Sequence, residues 1–214
     1  MIDESRFIFD KNIKQQYQVK LISGSDEVGR GAMAGPIVVA SVVLKENYFN
    51  PLIKDSKKLS EPQRESLYDE IINNCICYSI KSYDSKIVDK LNPKKTSIIG
   101  MTETIQDLKL KPELCLIDGE NVFLDDYSFL KIIKGDNLSQ SIAAASILAK
   151  VYRDRIMIDY DSKYEGYNFT SHKGYCTKDH IKRVETLGIL DIHRMSYKPI
   201  AKIKEKSNNV WKNE

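Results

Sequence analysis

Ser25-Asp26-Glu27-Val28-Gly29-Arg30-Gly31 is the stretch around which the rest of the chain is read. Two adjacent carboxylates end an apolar run, and a glycine, an arginine and a second glycine follow at once. Paired acids hold hard cations through oxygen. Glycine lets the backbone approach a ligand closely, and the guanidinium offers a planar fork of donors suited to phosphate. Together they point to phosphodiester chemistry. A surface turn after a strand uses the same residue types, so the reading depends on what the remaining sequence places beside this one.

Immediately upstream, residues 18–25 have a strand-like pattern with Val19, Leu21 and Ile22 apolar. Downstream, residues 36–44 are almost wholly apolar and β-branched, which predicts a central strand buried on both faces, with Pro36 at its start. Asp55-Ser56-Lys57-Lys58-Leu59 is a polar loop, and Ser60 and Gln63 have capping-box spacing ahead of a helix to about Asn73. Residues 75–80 predict a third strand. Residues 84–109 read as helical with a break near Asn92-Pro93. Residues 1–16 predict a short helix or an arm.

Two further strands each deliver an aspartate. Leu114-Cys115-Leu116-Ile117 leads into Asp118-Gly119, and residues 129–133 lead into Lys134-Gly135-Asp136. In an open α/β sheet, ligands bind beyond the strand ends, so three acid-bearing ends can converge on one site. Residues 139–160 form the best helix, with Ile142, Ala145, Ala149, Tyr152 and Ile156 at helical spacing. Its small residues at 143–146 allow close packing on the sheet. Residues 164–177 read as a loop with three tyrosines, followed by a helix over 178–187 and a lysine-rich tail. This predicts an α/β sheet domain over residues 1–160 and a helical extension over 161–214, either separate or part of the same domain.

The 214 residues are 42% apolar, which argues against disorder. A formal charge of +3 permits a nucleic-acid partner without arguing for one. No apolar run is long enough for a membrane span, and the acidic N-terminus lacks signal-peptide features. Cys75, Cys77, Cys115 and Cys176 show no zinc spacing and predict reduced thiols in a cytoplasmic protein.

Asp26, Glu27, Asp118 and Asp136 are all expected near strand ends, where a bound divalent ion would neutralise them. Crowded carboxylates resist ionisation unless a cation neutralises them. With oxygen donors and no paired Cys or His, Mg2+ or Mn2+ fits better than zinc. Two such ions can serve phosphodiester hydrolysis. Adjacent strand residues point to opposite faces, so Asp26 and Glu27 share a site only if the strand ends or bulges there.

At this point the chain resembles the ribonuclease HII family. The matching stretches begin with Asp26-Glu27-Val28-Gly29-Arg30-Gly31, Ala34-Gly35-Pro36, Asp55-Ser56-Lys57-Lys58-Leu59, Ile117-Asp118-Gly119 and Lys134-Gly135-Asp136. They continue through Ser141-Ile142-Ala143-Ala144-Ala145-Ser146, Arg153-Asp154 and Ser171-His172-Lys173-Gly174-Tyr175. The resemblance implies a ribonuclease H-like mixed β-sheet flanked by helices, with a C-terminal helical extension. It implies a metal-dependent endonuclease acting on RNA/DNA hybrids and on duplex DNA with embedded ribonucleotides, cutting 5′ of the ribonucleotide. It assigns catalysis to Asp26, Glu27, Asp118 and Asp136, Gly29, Arg30 and Gly31 to the ribonucleotide at the junction, and Tyr175 to the sugar after it. Lys57, Lys134, His172 and Lys173 are further substrate-binding candidates. Arg30, rather than lysine, between the glycines favours this family over ribonuclease HIII.

Three other readings compete: a related nuclease acting on DNA, a non-catalytic nucleic-acid-binding module, and a nucleotide-binding enzyme using Gly29-Arg30-Gly31 as a phosphate loop. The last lacks both dinucleotide and Walker spacing. Asp154 reads as an ion-pair partner within Arg153-Asp154-Arg155, His180 as structural, and His193-Arg194 as either a phosphate contact or a helix cap.

Overall fold

The computed structural model describes residues 3–210, with side chains through residue 206; Met1, Ile2 and residues 211–214, the end of the lysine-rich tail, lie outside the described residues. The chain opens with α1 (Ser5–Tyr17), β1 (Ile22–Val28), β2 (Ile37–Leu44), α2 (Glu61–Asn73) and β3 (Cys75–Tyr83). Then come α3 (Ser85–Leu91), α4 (Pro93–Gln106), β4 (Leu114–Asp118) and β5 (Phe129–Ile132). The remainder is helical: α5 (Gly135–Leu138), α6 (Gln140–Lys163), α7 (Phe169–His172), α8 (Lys178–Leu187) and α9 (Lys198–Val210).

Local chemistry explains most boundaries. Ser60 and Gln63 form the expected reciprocal capping box at the start of α2. Asn92, at φ 66°, separates α3 from α4 just before Pro93, because a residue preceding proline is excluded from helical geometry. Every residue of β2 except Leu44 is buried, as expected of an interior strand.

The described residues fall into two compact units. The first takes those within Met1–Val28, Val38–Ser82 and Ser97–Val151. It holds a mixed five-stranded sheet in the order β3-β2-β1-β4-β5. β1 runs antiparallel to β2 and parallel to β4, and β4 runs parallel to β5. Helices cover both faces. Ser25 bonds Ser41 at 2.7 Å, and Ser41 bonds Thr104 of α4 at 2.7 Å. On the opposite face a Cβ at Gly24 would overlap the backbone of Ser141, so glycine is what lets α6 lie against β1. Ile13, Ile22, Leu114, Leu116, Ile132 and Ile142 form one apolar cluster of this unit.

The second unit takes Gly29–Ile37, Tyr83–Thr96 and Tyr152–Glu214 as far as they are described. Met33, Met157, Phe169, Val184, Ile192 and Ile200 are among the residues that form its core. Asp89 of α3 accepts the amides of Met195 and Ser196 at 2.7 and 3.0 Å, tying segments distant in sequence.

Two expectations need correction. The first strand lies later than residues 18–25, and it neither ends nor bulges at the acids. Its pairing with β2 continues unbroken through Asp26↔Ala40, Glu27↔Val39 and Val28↔Val38. The apolar run of β2 supplies ladder partners past both carboxylates, and the turn begins only at Gly29, φ 95°. Residues 164–177, expected as a loop, contain the short helix α7; the lysine-rich tail is helical through Val210, as the expected helical extension requires, with Ile200 and Ile203 one turn apart and buried. Among the described residues no helix is long and apolar enough to cross a membrane.

Candidate active site

The parallel direction of β1, β4 and β5 brings their C-terminal ends to one edge of the sheet. Ser25 pairs with Ile117, so the next step along both strands sets Asp26 beside Asp118 on the same face. Asp26 is buried, and its carboxyl is pushed well above the usual carboxylate range. Burial is the largest cause, and the charges of Glu27 and then Asp118 add to it. A hydrogen bond with Ser146 and the Glu27 amide, which donates to Asp26 Oδ1 at 2.7 Å, oppose that shift.

Asp118 is half-buried, and its Oδ1 accepts the Gly135 amide at 2.6 Å. This fastens the end of β4 to the turn after β5. Lys134 enters that turn at φ 56°, and Asp136 follows in the first turn of α5, buried. Asp136 Oδ1 accepts the Asn137 side-chain amide at 2.9 Å, and Asn137 Oδ1 receives Lys58 Nζ at 2.5 Å. The polar loop at residues 55–59 thus reaches the aspartate turn through Lys58.

The structure brings Glu27 and Asp118 within electrostatic reach of Asp26, and Asp136 follows Gly135, whose amide Asp118 holds. Glu27 leaves the unbroken strand on the face opposite Asp26, so no end or bulge of the strand joins the two acids, yet the Glu27 charge still acts on the Asp26 carboxyl. Among the described residues no group of three or more Asp, Glu, His or Cys side chains is arranged to hold a metal ion as it stands. The donor chemistry nevertheless fits a hard divalent cation. The four groups offer only oxygen, and a buried carboxyl within the fields of two others is relieved by positive charge.

Gly29, Arg30 and Gly31 belong to the second unit. A Cβ at Gly29 would stand 2.7 Å from the Pro36 carbonyl oxygen and would also overlap the Arg153 guanidinium, so the fold itself requires this glycine. At Gly31 a Cβ would meet nothing within 4 Å. Two fully buried arginines hold the segment. Arg194 donates to the carbonyls of Gly29 at 2.7 Å, Arg30 at 3.1 Å and Gly35 at 2.8 Å, and the Tyr197 hydroxyl donates to the Arg30 carbonyl. Arg153 donates to Pro36 at 2.9 Å, Ala34 at 3.1 Å and Lys173 at 2.8 Å. Burial lowers the Arg153 pKa to about 10, so it stays charged at neutral pH. In a planar trans peptide the N–H opposes the C=O. Drawing the Gly29 and Arg30 carbonyls onto Arg194 therefore aims the Arg30 and Gly31 amides away from it.

Tyr175 is half-buried and forms a β-bridge with Ala32, next to Gly31. The Arg153 guanidinium lies 5.3 Å over its ring. Lys173 and His172 are buried. His172 Nε2 bonds the Tyr167 carbonyl at 2.8 Å, and Nδ1 accepts the Gly174 amide at 3.2 Å. Lys57 and Lys134 are exposed. Sequence reasoning missed the part played by Arg194, Tyr197 and Arg153. For Arg153 a signal existed: it stands four residues after Ala149 and four before Met157, on the buried stripe of α6.

A family profile described as Ribonuclease HII matches residues 23–200. The ribonuclease HII of Mycoplasma mycoides subsp. mycoides is 56% identical over 205 residues, covering 95% of this chain and 99% of that protein. That of Caldicellulosiruptor bescii is 42% identical over 196 residues, covering 91% and 94%. The solved structure of ribonuclease H2 from Pyrococcus horikoshii OT3 superposes with a TM-score of 0.77 at 25% identity, covering 88% of this chain and 99% of that one. The sheet is accordingly the ribonuclease H-like one that the motifs imply, and the chain belongs to the ribonuclease HII family.

Proposed function

We propose that this chain, as a ribonuclease HII-family endonuclease hydrolysing the RNA of RNA/DNA hybrids, cuts on the 5′ side of ribonucleotides embedded in duplex DNA. The products carry a 3′-hydroxyl and a 5′-phosphate. Asp26, Glu27, Asp118 and Asp136 form the catalytic set and hold Mg2+ or Mn2+, in a site for two ions. The observation that carries this reading is the buried Asp26 carboxyl beside Asp118 at the strand ends, acted on by the charges of Glu27 and Asp118. Bound divalent ions supply polarisation of the phosphate and an activated water. Asp118 holds the Gly135 turn and so fixes where Asp136 stands.

Only the 2′-hydroxyl separates RNA from DNA at the cut. The Arg30 and Gly31 amides are directed away from Arg194, and the open space before Gly31 admits a sugar at close range. Tyr175 packs on the next deoxyribose, where an added 2′-hydroxyl would crowd the ring. Lys57 and Lys134, being exposed, contact backbone phosphates, which positions substrate without reading sequence. His172 and Lys173 act through the turn that presents Tyr175. The substrate is nucleic acid, not membrane, and the free cysteines suit the cytoplasm.

The test is a labelled DNA duplex with one ribonucleotide, incubated with and without Mg2+, with both product ends mapped. A metal-dependent cut 5′ to the ribonucleotide is expected. Cleavage on its 3′ side, equal cleavage of an all-DNA duplex, or full activity in chelator overturns the proposal.

A further inference from the structure

The chain has three histidines, and all of them are buried together in the second unit. The rings of His172 and His180 stack with centroids 4.1 Å apart at 11°. His180 Nε2 lies 3.2 Å from His193 Nε2. Two neighbours fix where the protons are. The Leu190 amide can only donate, and it points at His193 Nδ1 at 2.9 Å, so a neutral His193 carries its proton on Nε2. The Tyr175 carbonyl can only accept, and it faces His180 Nδ1 at 3.0 Å, so His180 carries its proton there. These independent constraints meet with the right polarity: His193 Nε2–H donates to His180 Nε2. All six ring nitrogens are engaged, which leaves none directed at a metal.

The line of protons runs from the Leu190 amide through His193 and His180 to the Tyr175 carbonyl. That carbonyl also accepts the Thr177 amide at 2.9 Å, and the Tyr175 amide donates to the His172 carbonyl at 2.9 Å. The backbone of Tyr175 is therefore held on both sides by segments carrying histidines, while Arg153 covers its ring. We infer that His180, oriented by His193, is a positioning residue for Tyr175 and through it sets the preference for an RNA–DNA junction. The inference rests on the reading of Tyr175 given above. Without the His180 donor, the carbonyl keeps one partner and the His193 proton is left unpaired in a buried site.

Three substitutions at one position separate placement from simple packing. His180→Asn puts an amide donor near the site of Nδ1, His180→Gln puts it near Nε2, and His180→Leu removes it. The readout is kcat/KM on the one-ribonucleotide duplex divided by kcat/KM on a uniform RNA/DNA hybrid, for variants that melt cooperatively. Tyr175→Ala is the control for the underlying reading. His180→Leu and His180→Gln should lower the ratio about tenfold, the effect of losing roughly one well-placed hydrogen bond, and His180→Asn should stay near wild type. If His180→Leu does not fold, the Asn and Gln pair decides alone. Equal ratios for Asn and Gln, with Tyr175→Ala lowering the ratio, overturn the role of His180 and leave that of Tyr175 standing. An unchanged ratio in Tyr175→Ala overturns the reading of Tyr175 itself.

Discussion

The Asp118 carboxylate accepts the Gly135 amide at 2.6 Å, so the acid that closes β4 also holds the turn presenting Asp136. Asp118 thus has a structural task that Asp136 lacks, and the two predict different variants. Asp136→Asn preserves size but is a poorer ion ligand. It should lose at least about a thousandfold in cleavage with little change in melting temperature. Asp118→Asn should behave alike, since its amide oxygen still accepts from Gly135. Asp118→Ala should also lose about 1–3 kcal/mol of stability, the cost of an unsatisfied buried amide. Cleavage at saturating Mg2+ and thermal melts check both. Near-normal turnover by folded Asp136→Asn removes it from the catalytic set.

Relief of carboxylate crowding predicts that divalent ions stabilise the protein without substrate. The buried Asp26 carboxyl lies within the fields of Glu27 and Asp118, so positive charge there favours the folded state. Mg2+ and Mn2+ should raise the melting temperature, and Asp26→Asn should weaken the rise. Ca2+ should also bind but should not support cleavage, because its larger, looser coordination misplaces the attacking water. Strong cleavage with Ca2+, or no thermal shift with any of the three ions, contradicts this.

The positions of Asp118 and Asp136 at and after strand ends were legible in the sequence, because such ends punctuate apolar runs. The capping box at Ser60 and the break at Pro93 were legible for the same local reason. The path of β1 through Asp26 and Glu27 was not. It depends on β2 offering partners beyond the acids, which is a pairing between strands and leaves no mark in either alone. The roles of Arg153 and Arg194 were hidden differently. Their guanidiniums are satisfied by backbone carbonyls, which no sequence displays, so even the buried spacing of Arg153 on α6 does not reveal its partners. Nor does the sequence reveal that residues 29–37 belong with a unit formed mainly from the last third of the chain.

The histidine cluster makes stability depend on acid. Burial lowers the pKa of His180 to about 3 and of His193 to about 4. In the unfolded chain both titrate near 6.5. Between those values the unfolded state binds protons that the folded state refuses, so stability falls as pH falls. The contribution is complete above about pH 6.5 and is lost progressively toward pH 4. Asp10 and Asp26, whose carboxyls are raised chiefly by burial, act in the opposite sense. His193→Gln, which cannot titrate, isolates the imidazole part: its melting temperature should fall less steeply between pH 6.5 and 4 than that of the wild type. Equal slopes would remove the cluster as the cause.

Gly29 and Gly31 flank the same arginine but should fail in different ways when given a methyl group. At Gly29 the backbone is in the left-handed region, φ 95°, and a Cβ would strike the Pro36 carbonyl and the buried Arg153. Both effects penalise the folded protein, so Gly29→Ala should lose about 2 kcal/mol or more of stability, and its activity loss should follow the loss of folded protein. Gly31 has no such constraint: its φ is not positive, and the space a Cβ would occupy is open. Gly31→Ala should therefore melt within a few degrees of wild type. If the Gly31 amide meets the ribose at close range, the methyl group occupies the approach and holds the sugar away. Misplacement on the scale of an ångström costs about a hundredfold in rate, so Gly31→Ala should lose cleavage of that order while remaining folded. Thermal melts and single-turnover rates on the one-ribonucleotide duplex separate the two. A Gly31→Ala protein that is both stable and fully active would mean that the substrate does not approach the backbone there.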